Sequence, residues 1–175
     1  MTEKIIMYAL ISIVVAWVMR YLNKQNSKEV KPVEDGTFKL KMNKLYFYVG
    51  VSSMLLGLFV FLYLSLFVKD GLGIGICFLL GFGILGFGCA LWSWNHQVVF
   101  DSQFIESTTV FNKTTKMNWD EILKISFGLS SGIITMKDKN NVKVKAHIHL
   151  KGIKELTSMI EQKTEWTAKS LKLPI

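Results

Sequence analysis

Two apolar runs, 45-LYFYVGVSSMLLGLFVFLYLSLFV-68 and 72-LGIGICFLLGFGILGFGCALWSW-94, decide the architecture of this 175-residue chain. Neither run contains a charged residue. Each exceeds the ~20 residues that an α-helix needs to cross the ~30 Å hydrocarbon core of a membrane. Lys69, Asp70 and Gly71 lie between the runs and are typical of a tight turn. The pattern therefore predicts a transmembrane helical hairpin over residues 45–94.

The distribution of lysines predicts how this hairpin is oriented. Residues 23–44 contain six lysines and three acidic residues, and residues 95–175 contain twelve lysines and eight acidic residues. Both segments flank the hairpin on the same side, whereas the opposite loop has only Lys69 and Asp70 as charged residues. Because positively charged flanks stay in the cytoplasm, we expect a multi-pass protein of the cell (plasma) membrane whose linker and C-terminal domain are cytoplasmic.

An apolar run over residues 5–22 predicts a further membrane anchor. A cleavable signal peptide would end in a small-x-small cleavage site, but this run ends in Arg20 and Tyr21 without one. A peripheral amphipathic helix would need a polar face, and Ser12 is the only polar residue before Arg20 in this run. We therefore expect an uncleaved signal anchor over residues 1–22, three spans in all, and an N-terminus outside.

The segment between the anchor and the hairpin, residues 23–44, is expected to be a basic cytoplasmic linker. Its first part contains Asn, Ser, Lys and Pro and ends in an Asp-Gly turn signal, so it predicts a flexible connection. Residues 37–42 then alternate between apolar and lysine side chains, which is typical of a β-strand. An extended segment at the membrane interface would show the same alternation.

Small residues predict the face on which the two hairpin helices pack, because close backbone approach provides most of the contact energy between helices in lipid. These residues are Gly50, Ser53 and Gly57 in the first run and Gly75, Gly83 and Gly86 in the second. Gly73, Gly81 and Gly88 lie on other faces of the second helix. They predict either a second interface, with the apolar run over residues 5–22 or with another subunit, or the ordinary tolerance of membrane helices for glycine.

Aromatic residues mark the cytoplasmic end of both runs, since Tyr46, Phe47 and Tyr48 begin the first and Trp92 and Trp94 end the second. Tyrosine and tryptophan concentrate at membrane–water interfaces, so this belt supports the hairpin. No ionisable Asp, Glu, Lys, Arg or His lies within either run. Ion and proton pathways usually need one, and we therefore do not expect a transporter or channel formed by this chain alone.

Residues 95–163 consist of short alternating or apolar runs separated by turn-forming residues, which is typical of an antiparallel barrel or sandwich. Six strands are predicted, over residues 97–101, 104–111, 115–119, 122–127, 132–137 and 142–150. An amphipathic helix over residues 151–163 would cover the sheet with Ile153, Leu156 and Ile160. The predicted fold class is thus α+β, with transmembrane helices before an antiparallel β domain and its C-terminal helix, followed by a tail over residues 164–175.

A resemblance is carried by five features in chain order: the strand Val98-Val99-Phe100-Asp101, then Phe104-Ile105, the turn at Asn112-Lys113, the segment Met117-Asn118-Trp119-Asp120-Glu121-Ile122, and the final strand leading into the helix. In this order the chain resembles the bacterial pleckstrin-homology-like (PH-like) membrane proteins, whose "i-x-W-x-e-I" step the Trp119 segment matches. Over residues 95–163, the resemblance implies a bent sheet of seven strands that is closed by the C-terminal helix. It implies fold and placement rather than an activity, and residues 37–42 would supply the seventh strand.

The candidate surface for anionic lipid headgroups or an acidic partner consists of Lys143 and Lys145 on the last predicted strand and Lys39 and Lys41 before the hairpin. Each lysine near a membrane surface contributes about 1 kcal/mol of attraction to anionic lipid. The alternative is a solvated strand face whose charges oppose edge-to-edge aggregation.

Other chemistry has less support in the sequence. His147 and His149 share a strand face and would need His96 as a third metal ligand, without a cysteine or carboxylate at fitting spacing. Asp120 and Glu121 are adjacent, so on a strand they would point in opposite directions rather than toward one substrate. We expect no catalytic residue, no metal, no cofactor and no nucleic-acid partner.

The sequence thus favours a non-enzymatic membrane protein that holds a cytoplasmic PH-like binding or scaffold module at the inner leaflet. Its expected partners are the lipid bilayer, anionic headgroups, and other membrane proteins or further copies of the chain. The alternative is an accessory subunit of a larger transport or envelope-stress complex, docked through the glycine-rich helix over residues 72–94.

Overall fold

The computed structural model describes residues 30–33 and 36–173, together with isolated helical positions before them, namely Ile13, Ala16, Trp17, Arg20, Tyr21 and Lys24. The predicted first span over residues 5–22 therefore lies largely outside the described residues and stays a prediction. The described chain is α+β, with two long apolar helices, two antiparallel sheets and a C-terminal helix.

The described helices are α1 (Lys44–Phe67), α2 (Leu72–Asn95) and α3 (Ile153–Lys163). The strands are β1 (Phe38–Lys41), β2 (Gln97–Phe100), β3 (Phe104–Thr108), β4 (Thr114–Asn118), β5 (Lys124–Gly128), β6 (Ile133–Lys137) and β7 (Lys143–His147). Strands β1 to β4 form one sheet in that order, and β5 to β7 form the other. All neighbouring strands are antiparallel.

Helices α1 and α2 pack against each other along small residues. A Cβ atom added at Gly50 would lie 2.5 Å from the Gly86 carbonyl oxygen, and one at Gly75 would lie 3.2 Å from atoms of Phe61. A Cβ atom added at Gly57 would likewise lie very close to Phe82. The Ser53 hydroxyl donates to the Phe82 carbonyl at 3.3 Å. The two backbones are thus close enough that a larger side chain at Gly50 or Gly57 would force the helices to shift, and one at Gly75 would force Phe61 to move by a few tenths of an ångström.

The predicted place of Gly83 in this packing face is wrong. A Cβ atom at Gly83 would have no atom of the described residues within 4 Å, and the same holds at Gly73, Gly81 and Gly88. At ~100° per residue, Gly83 lies about 60° around the helix from Gly86, which is enough to turn it away from α1. The buried contact residues of α2 are instead Gly75, Gly86 and Ala90, and Phe82 adds a further contact with Gly57.

Both α1 and α2 are long and apolar enough to cross a membrane, by length and composition. Only 11% of the most apolar window in α1 and 17% of that in α2 is buried within the protein, so these helices do not form the core of the described structure. Their paired ends agree with the predicted aromatic belt, because the rings of Phe47 and Trp94 lie 5.5 Å apart.

Strand β1 pairs with β2, with Lys41 opposite Gln97 and Phe38 opposite Phe100. This pairing confirms the prediction that residues 37–42 join the sheet as a seventh strand at its edge. The two strands are neighbours in the sheet, yet the whole helical hairpin lies between them in the chain. The hairpin is therefore an insertion in the β domain and enters and leaves it at one place.

The hydrophobic core lies between the two sheets and α3. Its fully buried side chains are those of Leu40, Val98, Phe100, Ile105, Ile134, Met136, Val144, Leu150, Leu156 and Ile160. Trp119 is also buried and donates its indole N–H to the Asp101 carbonyl at 2.8 Å, at the start of the short 3-10 turn Trp119–Glu121 between β4 and β5. Leu171 of the tail reaches the core as well, with 9% of its surface exposed.

The strand registers give the β domain two ends of different charge. The helix-proximal end, next to Lys44 and Asn95, consists of residues 42–44, 95–96, 109–113, 129–132 and 148–152. The helix-distal end consists of residues 101–103, 119–123 and 138–142. Turns of the proximal end contain three lysines and no acidic residue, whereas those of the distal end contain four acidic residues and one lysine.

Candidate membrane-interface site

A groove of about 570 Å³ opens where the two long helices meet the β domain. We call it the basic groove, and it is lined by Lys41, Met42, Lys44, Phe47, Tyr48, Ser93, Trp94 and Lys151. Three of these side chains are lysines and none is acidic. Tyr48 and Trp94 are 59% and 73% exposed, so aromatic rings border the groove on the helix side.

Backbone contacts bring the three lysines together from three separate elements. Lys41 ends β1, Lys44 begins α1, and Lys151 follows β7 in the turn before α3. The Lys151 amide donates to the Lys41 carbonyl at 3.0 Å, which fixes this turn beside β1. Because these contacts hold three positive charges at one groove, the site suits an anion such as a phosphate group.

Asn43 connects the two long helices at the same junction. Its side-chain oxygen accepts from the Leu45 amide at 3.0 Å and caps α1, and its carbonyl accepts from the Ser93 hydroxyl at 3.3 Å. The residue is only 5% exposed, and its Nδ2 atom has no hydrogen-bond partner among the described residues. Buried donors are normally satisfied, so this amide is an exception, but it does not line the basic groove.

The four lysines predicted from the sequence do not lie at equal distances from the helices. Lys41 is at the proximal end of β1 and lines the basic groove, and Lys39 precedes it by two residues toward the distal end. Lys145 lies midway along β7, and Lys143 begins that strand at the distal end. A strand rises ~3.3 Å per residue, so only Lys41 is placed at the junction itself.

A second cavity, of about 290 Å³, lies beside the end of α2. We call it the histidine cavity, and it is lined by Trp92, His96, Ser107, Thr109, Val110, Phe111, Ile133, Lys145, Ala146 and His147. The chain has three histidines, and two of them line this space while the third, His149, lies with its ring 4.9 Å from that of His147.

His147 is buried, although strand alternation predicted that it would share an exposed face with Lys143 and Lys145. Strand β7 ends at His147, and the Trp92 ring of α2 meets the imidazole edge-on at 4.8 Å between centroids. A Cβ atom at Gly132 would lie 3.2 Å from the same ring. The end of α2 and the β5–β6 turn therefore cover the strand face at this point.

Burial lowers the pKa of His147 to about 4, and repulsion from His149 and His96 acts in the same direction. Its Nδ1 atom accepts from the His149 amide at 3.2 Å, an arrangement that suits the neutral ring. Burial also lowers the pKa of His96 and of His149, and the hydrogen bond of His96 Nδ1 to the Thr108 carbonyl at 2.8 Å partly opposes the effect for His96. These rings are therefore neutral at pH 7.

Acidification from pH 7.5 to pH 5 is expected to destabilise the protein by about 1–2 kcal/mol through His147. In this range the unfolded histidine, with a pKa near 6.5, binds a proton while the folded one does not, so stability is lost as the pH falls. The measurement is thermal unfolding of the detergent-solubilised chain at both pH values. The His147→Gln variant should lose most of this dependence, and an unchanged pH dependence in that variant would contradict the assignment.

The other predicted sites do not form reactive clusters in the structure. Across residues 30–33 and 36–173 no group of three His, Cys, Asp or Glu side chains is arranged to hold a metal ion. Glu121 accepts from the Asn118 amide at 2.9 Å and caps the turn after β4, and Asp120 is exposed beside it. Cys77 and Cys89 are unpaired.

The sequence does not predict Lys44 and Lys151 as members of the basic groove, and it places His96 with His147 only in the disfavoured metal site, not in a shared cavity with Trp92. No local pattern marks these residues, since each pair is joined only by the tertiary fold. No known protein-family model matches the chain, and no curated protein matches it.

Proposed function

We propose that the chain is an integral membrane protein that holds a PH-like binding module against the inner leaflet through headgroup contacts, without an enzymatic activity. The observation that carries this proposal is the basic groove, which lies at the end of two membrane-capable helices and has lysines without acidic neighbours in its lining. Anionic phospholipid headgroups match this combination of position and charge.

The insertion of the hairpin supports a fixed orientation of the module. Because α1 and α2 leave the sheet between the paired strands β1 and β2, helices that cross a bilayer would present the helix-proximal end to its surface. That end carries lysines, while the acidic turns lie at the opposite end. The same polarity, with the positive-inside tendency of basic flanks, favours a cytoplasmic module.

The place at which the linker contacts the β domain supports the additional N-terminal anchor. The Val30 amide donates to the Glu155 carboxylate at 2.8 Å, and Val30 packs on Gly152 at the beginning of α3. Gly152 belongs to the helix-proximal end, so the linker reaches the module on the side that faces the proposed membrane. The linker that follows a first span over residues 1–22 would therefore reach this point without running along the length of the β domain.

The PH-like assignment rests on the arrangement of strands. The seven strands and the amphipathic helix over the core support the proposal, although the strands form a four-stranded and a three-stranded sheet rather than the one bent sheet that the resemblance implies. Among the predicted strands and the C-terminal helix, only the ends of β3 and β7 differ from the observed ones by more than two residues, and both were predicted three residues too late.

Reversing the charge of the basic groove tests the headgroup contact. The full chain with Lys41→Glu, Lys44→Glu and Lys151→Glu should bind short-chain phosphatidylglycerol on the order of 100-fold more weakly than the wild type, at about 1 kcal/mol for each lysine. The measurement is a fluorescence titration of the detergent-solubilised protein, with phosphatidylcholine as the neutral lipid.

The matched control reverses the same number of charges away from the groove, at Lys124, Lys139 and Lys143, and should bind like the wild type. These three lysines are exposed at the helix-distal end. Equal weakening in both variants would indicate a general effect of net charge and would contradict a headgroup site in the groove.

One observation favours the alternative role as an accessory subunit. Gly81 and Gly88 lie within about 20° of each other on α2, and a Cβ atom at either would meet none of the residues that the structure describes within 4 Å. This outward face of small residues would allow close approach of another membrane helix. A protein that co-purifies with the wild type and is lost from the Gly81→Leu variant would favour this role.

A further inference from the structure

Two turns at the helix-proximal end present large apolar side chains to the exterior. Phe111, in the β3–β4 turn, is 86% exposed, and Leu129, in the β5–β6 turn, is 75% exposed. Single exposed apolar residues are common on soluble proteins, so exposure alone does not assign a role to them. The position of both residues relative to α2 does indicate a role.

The first of these turns is tied directly to the last residue of α2. Asn95 donates its side-chain amide to the Val110 carbonyl at 2.6 Å, and Phe111 is the next residue in the chain. Phe111 also lines the histidine cavity together with Trp92, one turn earlier on α2. The Phe111 ring is thus held beside the end of the membrane-capable helix.

The second turn is tied to the same helix through His147. The imidazole of His147 packs edge-on against Trp92, and Gly132 of the β5–β6 turn lies against the other part of the ring. The Ile148 amide donates to the Gly132 carbonyl at 2.9 Å and fixes the turn to the end of β7. Leu129 is therefore carried to the same end of the domain as Phe111.

We propose that Phe111 and Leu129 insert into the interfacial layer of the bilayer in which α1 and α2 are embedded. The occupant of this surface is lipid, because both turns are held beside the end of α2 that carries Trp92, and tryptophan is typical of the membrane interface. Residues 109–113 and 129–132 contain no acidic residue, and Lys113 follows Phe111 closely, a combination that suits an anionic surface.

This inference rests on the proposed membrane placement and extends it. The helices alone would leave the module free to tilt about one junction, whereas two inserted turns on the far side of α2 from the basic groove would hold it at a fixed angle. The histidine cavity, bordered by Trp92 and Phe111, then opens at the level of the lipid headgroups.

Site-specific labelling of the full chain in liposomes tests the insertion. Single cysteines at Phe111, at Leu129 and at the control Leu123 carry an environment-sensitive NBD fluorophore, in a background with Cys77→Ala and Cys89→Ala. Leu123 is 63% exposed but lies at the helix-distal end, so it matches the others in chemistry and differs in position. Liposomes contain phosphatidylglycerol and phosphatidylcholine, and the quenchers are a lipid nitroxide and aqueous iodide.

Labels at 111 and 129 should emit at shorter wavelength and be quenched by the lipid nitroxide, whereas the label at 123 should be quenched by iodide. Iodide quenching at all three positions would overturn the insertion. It would not overturn headgroup binding in the basic groove, which the Lys41, Lys44 and Lys151 variant tests separately. Nitroxide quenching at all three would overturn the orientation of the module and with it this inference.

A second variant tests whether the fluorophore, rather than the native apolar side chains, causes the insertion. With Phe111→Asp in place, the label at 129 should become more accessible to iodide, because one of the two insertion points is lost. An equal change caused by Leu123→Asp would overturn the proposal, since that residue lies at the opposite end of the domain.

Discussion

The Gly86→Leu variant is expected to lose the close packing of α1 on α2 and about 3 kcal/mol of stability. A Cβ atom at this position would lie 2.5 Å from the Gly50 carbonyl oxygen and 2.8 Å from the Met54 side chain. The first of these is a backbone atom of the facing helix, so the helices must separate to admit a side chain. Separation would also remove the contact between the Ser53 hydroxyl and the Phe82 carbonyl.

The Gly83→Leu variant is the matched control, because it introduces the same side chain three residues earlier on the same helix, where a Cβ atom would touch no part of the described chain. The measurement is the midpoint of unfolding of the detergent-solubilised chain, by temperature or by SDS titration. Gly86→Leu should unfold well before the wild type, and Gly83→Leu should unfold close to it. Similar midpoints for the two variants would show that the observed packing face does not stabilise the hairpin.

Replacing residues 44–95 by one glycine, in a chain that starts at residue 30, is expected to convert the protein into a soluble folded domain. Lys41 lies opposite Gln97, so the shortened chain would read Met42-Asn43-Gly-His96, with Asn-Gly as a two-residue turn. This dipeptide is the one that type I′ hairpin turns prefer. The product should remain soluble without detergent and unfold cooperatively when followed by circular dichroism.

The matched control is a fragment that begins at residue 96 and therefore lacks β1. It loses Leu40 and Met42, which are 0% and 4% exposed in the full chain, and it leaves β2 as an open sheet edge. Burial of each such side chain contributes about 1.5–3 kcal/mol, and exposed edges promote aggregation. We expect this fragment to aggregate; a fragment as soluble and cooperative as the shortened chain would show that β1 is dispensable.

Much of the architecture is predictable because it depends on local pattern. Uncharged runs longer than a membrane is thick give α1 and α2, and alternation with turn residues gives the strands of the β domain. Even the seventh strand is foreseeable, since Phe38 and Leu40 alternate with lysines before the hairpin begins. The predicted end of β7 was wrong by three residues, because the chain turns after His147 rather than continuing its alternation to Leu150.

The candidate site is less predictable because its members come from distant parts of the chain. Lys151 reaches Lys41 through a single backbone hydrogen bond between the turn before α3 and the end of β1. His147 looks like an exposed strand residue until Trp92 covers it. Neither contact has a sequence pattern of its own, and both depend on the point at which the helices leave the sheet.

Periodicity and charge in the chain thus determine which segments are helices and strands, and which side of the hairpin is basic, because these properties depend on neighbours a few residues apart. Only the tertiary structure inserts the hairpin between β1 and β2, turns Gly83 away from the packing face and joins three lysines in one groove. These features follow from strand pairing and from backbone approach between segments that are far apart in sequence, and no local pattern records them.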